Sequence, residues 1–169
     1  MSRYIAPATI SSERDLAEYY IDTAEPVDPS SPKGYSERCV HSEVMKRFPA
    51  VNAVIHSHSE AVVPYTISGV PMKPCFHMAG FLGTHISVYD IAKYYQDDNV
   101  QDMLVRNTRL GGALASHFSS NTADEAKGSP DYPVVLMRGH GFTVAGTSIQ
   151  DVVLRGVYNN KMPRYKQQY

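Results

Sequence analysis

In the first third of the chain, the apolar positions follow a helical spacing and then a strand spacing. Val40, Val44 and Phe48 are four residues apart, which predicts a helix over residues 37–48 with one apolar face. Residues 51–55 are mostly apolar on both alternating sides, as expected for a strand that is buried on both faces of its sheet. The pattern therefore predicts a helix followed by a buried strand.

A second pair of strands is predicted near the carboxyl end of the chain. Residues 134–137 form an unbroken apolar run, which is typical of a buried strand. Arg-Gly-His-Gly at 138–141 predicts a tight turn, because its glycines allow backbone conformations that other residues avoid. Residues 142–145 then predict a return strand, so the two strands form a hairpin.

The remaining segments predict helices and loops around these strands. A short helix is expected over residues 59–69, a longer one over 100–118, and a final one over 148–160. Residues 71–95 mix strand and loop signals, and the small polar residues at 119–132 predict a loop. Because strands and helices alternate without regular βαβ units, we expect a layered α/β domain with a largely antiparallel sheet.

Composition narrows the class of protein. The chain has 169 residues, 43% hydrophobic and 20% charged, and a net charge of −1, which is typical of one globular domain. The sequence lacks the basic stripe that is typical of nucleic-acid-binding proteins. No apolar run is long enough for a membrane span or a secretory signal. The two cysteines, Cys39 and Cys75, have no CxxC spacing. A disulfide framework is therefore not expected, and a cytoplasmic location fits best.

The candidate chemistry begins with His56 and His58, which follow the first buried strand. Strand residues two apart project to the same side, so both imidazoles could bind one metal ion. By itself an HxH sequence is equally consistent with two inert, hydrogen-bonded histidines. His140, between two glycines at the end of another apolar strand, is the natural third ligand, although alone it would be interpreted as a surface turn residue.

Glu37 is the fourth candidate, because of its distance along the chain from His56. Eleven helical steps from Glu37 to Phe48 cover about 16 Å, and five strand steps from Val51 to His56 cover about 17 Å. If the helix and the strand run antiparallel on either side of Pro49, the Glu37 carboxylate lies close to His56 and His58. The alternative is that a glutamate in the first helical turn only complements the helix dipole.

These residues in this order resemble the class II aldolase/adducin family. The segments YSERCVHSEVMKRFPAVNAVIHSHS and VVLMRGHGFTVAG are similar to its two signatures, and the resemblance runs over about residues 25–158. It implies a three-layer α/β fold with a central, mostly antiparallel sheet. It also implies one divalent metal ion held by His56, His58 and His140, with Glu37 as the catalytic acid/base. The adducin branch fits poorly because all three histidines are present.

The resemblance implies a metal-dependent lyase that makes or breaks a C–C bond of a small hydroxy-carbonyl compound through an enediolate. Zinc is the expected ion, with Fe²⁺, Mn²⁺ or Co²⁺ as alternatives. Two other hypotheses stay open. One is an Fe(II)-dependent oxygenase or decarboxylase on the same scaffold, and the other is a non-catalytic, degenerate subunit. His77 is a further candidate for substrate binding, although a hydrogen-bonded loop or core histidine is the simpler interpretation.

The sequence also departs from the family pattern. Family members carry more chain ahead of the matched region, including a turn that binds substrate phosphate or carboxylate, so we expect a single domain over residues 1–169 that lacks this part. Either the chain is shortened or it does not use phosphorylated substrates. Such a domain would expose the sheet and the apolar helix face of Val40, Val44 and Phe48. We therefore expect a homo-oligomer, a dimer or the family's tetramer.

Overall fold

In a computed structural model of the protein, the described residues form an α/β domain with four strands and four α-helices. The structure describes residues 1–3, 5–32, 34–120 and 128–166. The strands are β1 (Ala53–Ser57), β2 (Ser87–Tyr89), β3 (Val134–Met137) and β4 (Gly141–Gly146). The helices are α1 (Arg38–Arg47), α2 (Val63–Ile67), α3 (Thr108–Ser116) and α4 (Ile149–Lys166). Short 3₁₀ turns lie at Pro7–Thr9, Glu13–Asp15, His77–Leu82 and Ile91–Tyr94.

The four strands form one sheet in the order β1-β4-β3-β2. β4 is antiparallel to both β1 and β3, whereas β2 is parallel to β3. β3 and β4 are joined by the tight turn that the sequence predicts. The expected α/β fold with a mostly antiparallel sheet is therefore confirmed.

Alternate residues of β3 contribute to the core on opposite faces of this sheet. Val135 and Met137 pack with α1 and α3, while Val134 and Leu136 pack on the side of α4. All four β3 side chains are buried. The uninterrupted apolar run of β3 thus has a direct explanation: the strand lies between two helical layers, and each layer covers one of its faces.

The predicted helix over residues 100–118 is wrong in its first half, because α3 begins only at Thr108. Asn107 has an extended backbone, and its side chain accepts a hydrogen bond from the backbone N–H of Leu110 at 2.9 Å, which caps the helix. Met103 has φ 66°, which no residue of a right-handed helix can adopt. Residues 100–107 therefore form a loop.

Three other boundaries also differ from the predicted ones. β1 begins and ends two residues later than the predicted strand over 51–55, so that His56 lies within it. α2 begins at Val63 rather than near residue 59. α4 continues past residue 160 to Lys166. The predicted loop over residues 119–132 lies partly outside the described residues.

The apolar face of α1 is not exposed, contrary to the sequence-based expectation. Val40, Val44 and Phe48 have no accessible surface. They pack against residues of α3, including Leu114, in the core on that side of the sheet. Among the described residues, no helix combines the length and apolarity that crossing a membrane requires.

Candidate metal centre

The first two members of the site lie at the end of β1. His56 is the fourth residue of the strand and His58 follows its last residue, so both side chains project to the same side. Their Nε2 atoms are 2.9 Å apart. The side chain of His56 is 9% exposed, whereas that of His58 is 60% exposed. Most of the His56 side chain is therefore covered, whereas His58 is open to solvent.

His140 reaches this pair from the turn between β3 and β4. Its Nε2 lies 2.8 Å from Nε2 of His58 and 3.3 Å from Nε2 of His56. Gly141 allows this approach, because a Cβ there would lie 2.0 Å from the backbone oxygen of Ser57. Its φ of 151° is also one that residues with side chains rarely adopt. Only glycine therefore fits at this crossing of the turn and β1.

Glu37 completes the cluster from the N-terminal end of α1. Its Oε2 lies 3.1 Å from Nε2 of His58 and 3.2 Å from Nε2 of His56. Its Oε1 lies 3.3 Å from Nε2 of His140. All four ligand-type atoms lie within 4.8 Å of one another. The structure thus brings together the four residues that the sequence singled out.

Backbone carbonyls determine which ring nitrogens face the centre. Nδ1 of His140 lies 2.9 Å from the carbonyl oxygen of Met103, and Nδ1 of His56 lies 3.2 Å from that of Phe142. A carbonyl oxygen only accepts hydrogen bonds, so Nδ1 of each histidine carries the proton and donates it. In the neutral imidazole, Nε2 is then the unprotonated nitrogen.

This donor set fits a bound divalent cation. Lone pairs on two Nε2 atoms and a carboxylate would repel one another at these distances unless a positive charge lies between them. Tetrahedral zinc with ligands at about 2.0–2.1 Å needs donor atoms roughly 3.3 Å apart, close to the observed nitrogen spacings of 2.8–3.3 Å. Three imidazoles and one carboxylate are also ligands that zinc accepts.

Glu37 is ionised in this environment. Burial by itself raises its pKa, whereas protonated imidazoles of His140 and His56, through their hydrogen bonds and positive charge, hold the pKa of Glu37 well below its ordinary value. When these imidazoles are the neutral, metal-binding tautomer, a bound divalent cation would supply that positive charge in their place. The carboxylate therefore begins any reaction as a proton acceptor or as a ligand, and not as a proton donor.

A wide cleft of about 1760 Å³ opens beside the cluster. Glu37, His56 and His58 line it together with the N-terminal segment. His41 also lines it, one helical turn after Glu37. Burial, and then the charge of His56, lowers its pKa to about 4, and its ring hydrogen-bonds to the backbone of Val54. His41 is therefore neutral at physiological pH.

His77 does not belong to this group in the part of the chain that the structure describes. It is exposed at the start of the 3₁₀ turn His77–Leu82, with its ring edge-to-face on Phe76 at a centroid distance of 4.5 Å. Its suggested contact with substrate stays a prediction. Conversely, sequence reasoning missed the carbonyl of Met103, which fixes the orientation of His140. No side-chain motif signals a backbone oxygen.

A family comparison agrees with this fold. The sequence profile of the class II aldolase and adducin N-terminal domain matches residues 6–162, which is nearly the whole chain. The chain belongs to the class II aldolase/adducin family. The resemblance noted from the sequence is thereby confirmed.

Two curated relatives in this family carry decarboxylase names. Decarboxylase tropJ of Talaromyces stipitatus is 50% identical over 158 residues, covering 94% of this chain and 58% of that protein. The 3,4-dihydroxyphthalate decarboxylase of Arthrobacter keyseri is 31% identical over 127 residues, covering 73% of this chain and 45% of that protein. This class II aldolase domain therefore spans about half the length of the curated relatives it matches.

Solved structures of the family share the fold. The L-fuculose-1-phosphate aldolase of Thermus thermophilus superposes with a TM-score of 0.66 at 14% identity, covering 99% of this chain and 75% of that one. At this identity, the likeness supports the shared class II aldolase fold and carries no information about substrate.

Proposed function

We propose that this class II aldolase domain is a metal-dependent lyase that decarboxylates a hydroxy-substituted aromatic acid. The observation that carries the proposal is the cluster itself, in which three Nε2 atoms and one carboxylate converge within 4.8 Å. Among the described residues, this is the one group of three or more metal-ligating side chains.

The names of the relatives favour decarboxylation over aldol cleavage. The two relatives above, at 50% and 31% identity, are both called decarboxylases. Both reactions break a C–C bond next to an oxygen-bearing carbon, so the same electrophilic centre serves either. Decarboxylation was one alternative on this scaffold, and it replaces the hydroxy-carbonyl cleavage as our leading proposal.

The cleft has an apolar wall that could accept a flat ring. Apolar side chains such as Met45 and Val54 line it, and its charged lining residues are of both signs, so a substrate carboxylate would depend on the metal centre for its positive charge. An aromatic ring would lie on the apolar wall, and its ring oxygens would reach the exposed side of the cluster at His58. Such a combination of an apolar pocket with a few polar groups is typical of small-molecule sites.

In this proposal, His56, His58 and His140 hold one divalent ion, and zinc is the ion we expect. When bound, the ion supplies Lewis acidity that stabilises negative charge on the substrate oxygens. His56 and His140 each donate a hydrogen bond from Nδ1–H to a backbone carbonyl. These bonds keep Nε2 unprotonated and available to the metal, and they fix the orientation of both rings. His77, if it contacts substrate, does so from outside this cluster.

Glu37 moves the proton. As an ionised carboxylate it accepts the proton of a ring hydroxyl when the substrate binds, and it returns that proton to the ring carbon. The bond between that carbon and the carboxyl group breaks, its electron pair goes to the ring, and carbon dioxide leaves. The ring oxygen that lost its proton to Glu37 then takes up a proton from solvent, so atoms and charge balance.

The test is decarboxylation by the metal-depleted and the reloaded protein. We expect chelator-treated protein to be inactive towards 3,4-dihydroxyphthalate and to regain carbon dioxide release with one equivalent of Zn²⁺, Mn²⁺, Fe²⁺ or Co²⁺. Phthalate, which lacks the hydroxyl groups, serves as the matched control and should not react. If the loaded protein splits hydroxy-ketones but releases no carbon dioxide from hydroxy-aromatic acids, the proposed reaction is wrong.

A further inference from the structure

Met103 has an unusual backbone conformation close to the metal centre. Its φ of 66° lies in the left-handed region, which side-chain-bearing residues other than asparagine and aspartate seldom adopt. Such a conformation persists only where the surroundings hold it in place. The loop ahead of α3 therefore contains contacts that determine the backbone direction at this residue.

Two hydrogen bonds meet at Met103. Its backbone N–H donates to the hydroxyl oxygen of Tyr95 at 2.7 Å, and its carbonyl oxygen accepts from Nδ1–H of His140 at 2.9 Å. A single residue thus connects the hydroxyl of Tyr95 with a proposed metal ligand. Tyr95 is partly buried and packs against the core beneath α1 and α3, which gives this connection a rigid base.

The same loop also reaches a second member of the site. The backbone N–H of Val105 donates to Oε1 of Glu37 at 3.4 Å. Within the loop, the carboxylate of Asp102 accepts from the N–H of Leu104 at 3.1 Å and from Nε of Arg106 at 2.7 Å. Residues 102–106 are therefore held together locally and contact both His140 and Glu37.

We propose that Tyr95 is a positioning residue of the metal centre, acting through the left-handed backbone of Met103 on the tautomer and direction of His140. If Met103 relaxes to an ordinary φ, its carbonyl turns away and His140 loses its acceptor. The proton can then move to Nε2, and that tautomer cannot bind a metal through Nε2. This inference rests on the proposed metal centre.

The first test is the Zn²⁺ affinity of Tyr95→Phe, measured by competition with a chromophoric chelator. Loss of an outer partner of a ligating histidine typically weakens metal binding by about 10- to 100-fold. We expect about a tenfold loss. The visible absorption of the Co²⁺-loaded protein should change as well, because the direction of one ligand changes.

Tyr94→Phe is the matched control. The hydroxyl of Tyr94 lies 3.1 Å from Nε2 of His117 and is not part of the contact to Met103, although its ring packs against the same core. This variant should bind Zn²⁺ as the wild type does. Equal losses in Tyr94→Phe and Tyr95→Phe would overturn the proposal, since the effect would then be one of general core stability.

A rescue variant distinguishes positioning from packing. Asparagine adopts the left-handed region far more readily than methionine, so Met103→Asn in the Tyr95→Phe background should recover most of the lost affinity. Absence of recovery would overturn the proposed route through the backbone. A wild-type protein that binds no Zn²⁺ would remove the metal centre and this inference together, whereas normal binding by Tyr95→Phe would overturn the inference alone.

If Tyr95→Phe does not fold, Met103 itself provides the test. Valine is branched at Cβ and disfavours positive φ, whereas glycine adopts it freely. We expect Met103→Val to lose at least tenfold in Zn²⁺ affinity, since it removes the same support of His140. Met103→Gly should stay within about threefold of wild type. Equal affinities in the two variants would contradict the proposal.

Discussion

Glu37 occupies the position before the first turn of α1, where an acidic side chain usually accepts hydrogen bonds from the helix amides. No such bond from its side chain is present. Its oxygens lie instead 3.1–3.3 Å from the three histidines. The simpler interpretation, a carboxylate that only complements the helix dipole, does not agree with this geometry.

We predict that Glu37→Gln keeps the fold and the metal but lowers turnover by about 10²- to 10⁴-fold, the usual contribution of a general acid/base group. The amide cannot accept the substrate proton. Steady-state rates on metal-loaded protein would measure the effect, with metal content measured in parallel. Loss of the metal would make Glu37 a ligand rather than a proton carrier.

Glu43→Gln is the matched control for this variant. Glu43 lies on the same helix, is also buried, and pairs with Lys46 at 3.7 Å, outside the metal-ligand cluster. Its turnover should equal that of the wild type. A comparable loss in both variants would mean that removing negative charge from α1 slows the reaction in general, and that Glu37 has no specific role.

At the scale of single residues, some functional positions can be predicted from the sequence and others cannot. The HxH spacing, the GHG turn and the distance of Glu37 from His56 are properties of residue order, so they are visible in the sequence. The role of Met103 depends on one φ angle and one carbonyl direction. Those follow from tertiary contacts, and a methionine in a polar loop carries no sign of them.

At the scale of elements, the close crossing of α1 and α3 explains the first glycine of the pair Gly111–Gly112 in α3. A Cβ on Gly111 would lie 2.5 Å from the backbone oxygen of Cys39 and 2.9 Å from Cγ of Glu43. From sequence alone, two adjacent glycines argue against a helix. Here the first glycine lets the two helices approach, and that approach helps to place α1, which carries Glu37.

We predict that Gly111→Ala destabilises the protein by about 1–3 kcal/mol, because the new methyl group has to push the two helices apart. Gly112→Ala is the control, since its Cβ would meet only Oε2 of Glu43, at an ordinary 3.7 Å. It should stabilise the fold by about 0.5–1 kcal/mol through helix propensity. Denaturant unfolding measures both, and a gain in stability for both variants would contradict the proposed close packing.

The predictability of each element depends on how local its signals are. β3 and its return strand lie within one residue of their predicted bounds, because an apolar run, a glycine turn and a second apolar run are adjacent in sequence. The predicted start of α3 near residue 100 is wrong, because apolar spacing alone does not show where a helix begins. The local signal for the true start is Asn107, whose side chain caps the helix.

At the scale of the whole molecule, α4 carries a stripe of exposed apolar side chains, whereas no large hydrophobic side chain of α1 is exposed. Four aliphatic side chains of the first nine residues of α4 are 45–71% exposed: Ile149, Val153, Leu154 and Val157. Isolated exposed aliphatic residues are common, but a stripe along one helix is a typical interaction surface. The expectation of self-association thus keeps a physical basis, although on a different helix.

We predict that light scattering at micromolar concentration gives a mass that is a multiple of 18.8 kDa, most simply twofold or fourfold. Val153→Lys places a charge in the α4 stripe and should shift the protein towards the monomer. Lys46→Glu, which alters an exposed charge on α1, serves as the control and should not. A monomeric wild type would contradict the prediction.

The central claim, that Glu37, His56, His58 and His140 form one metal centre, is tested most directly by the metal content of the purified protein. Elemental analysis should find about one divalent ion per wild-type chain, and none in the double variant His56→Ala/His58→Ala. His77→Ala, which removes a histidine outside the cluster, should keep the wild-type ratio. A double variant that retains one ion per chain would contradict the account, because the ion would then be held elsewhere.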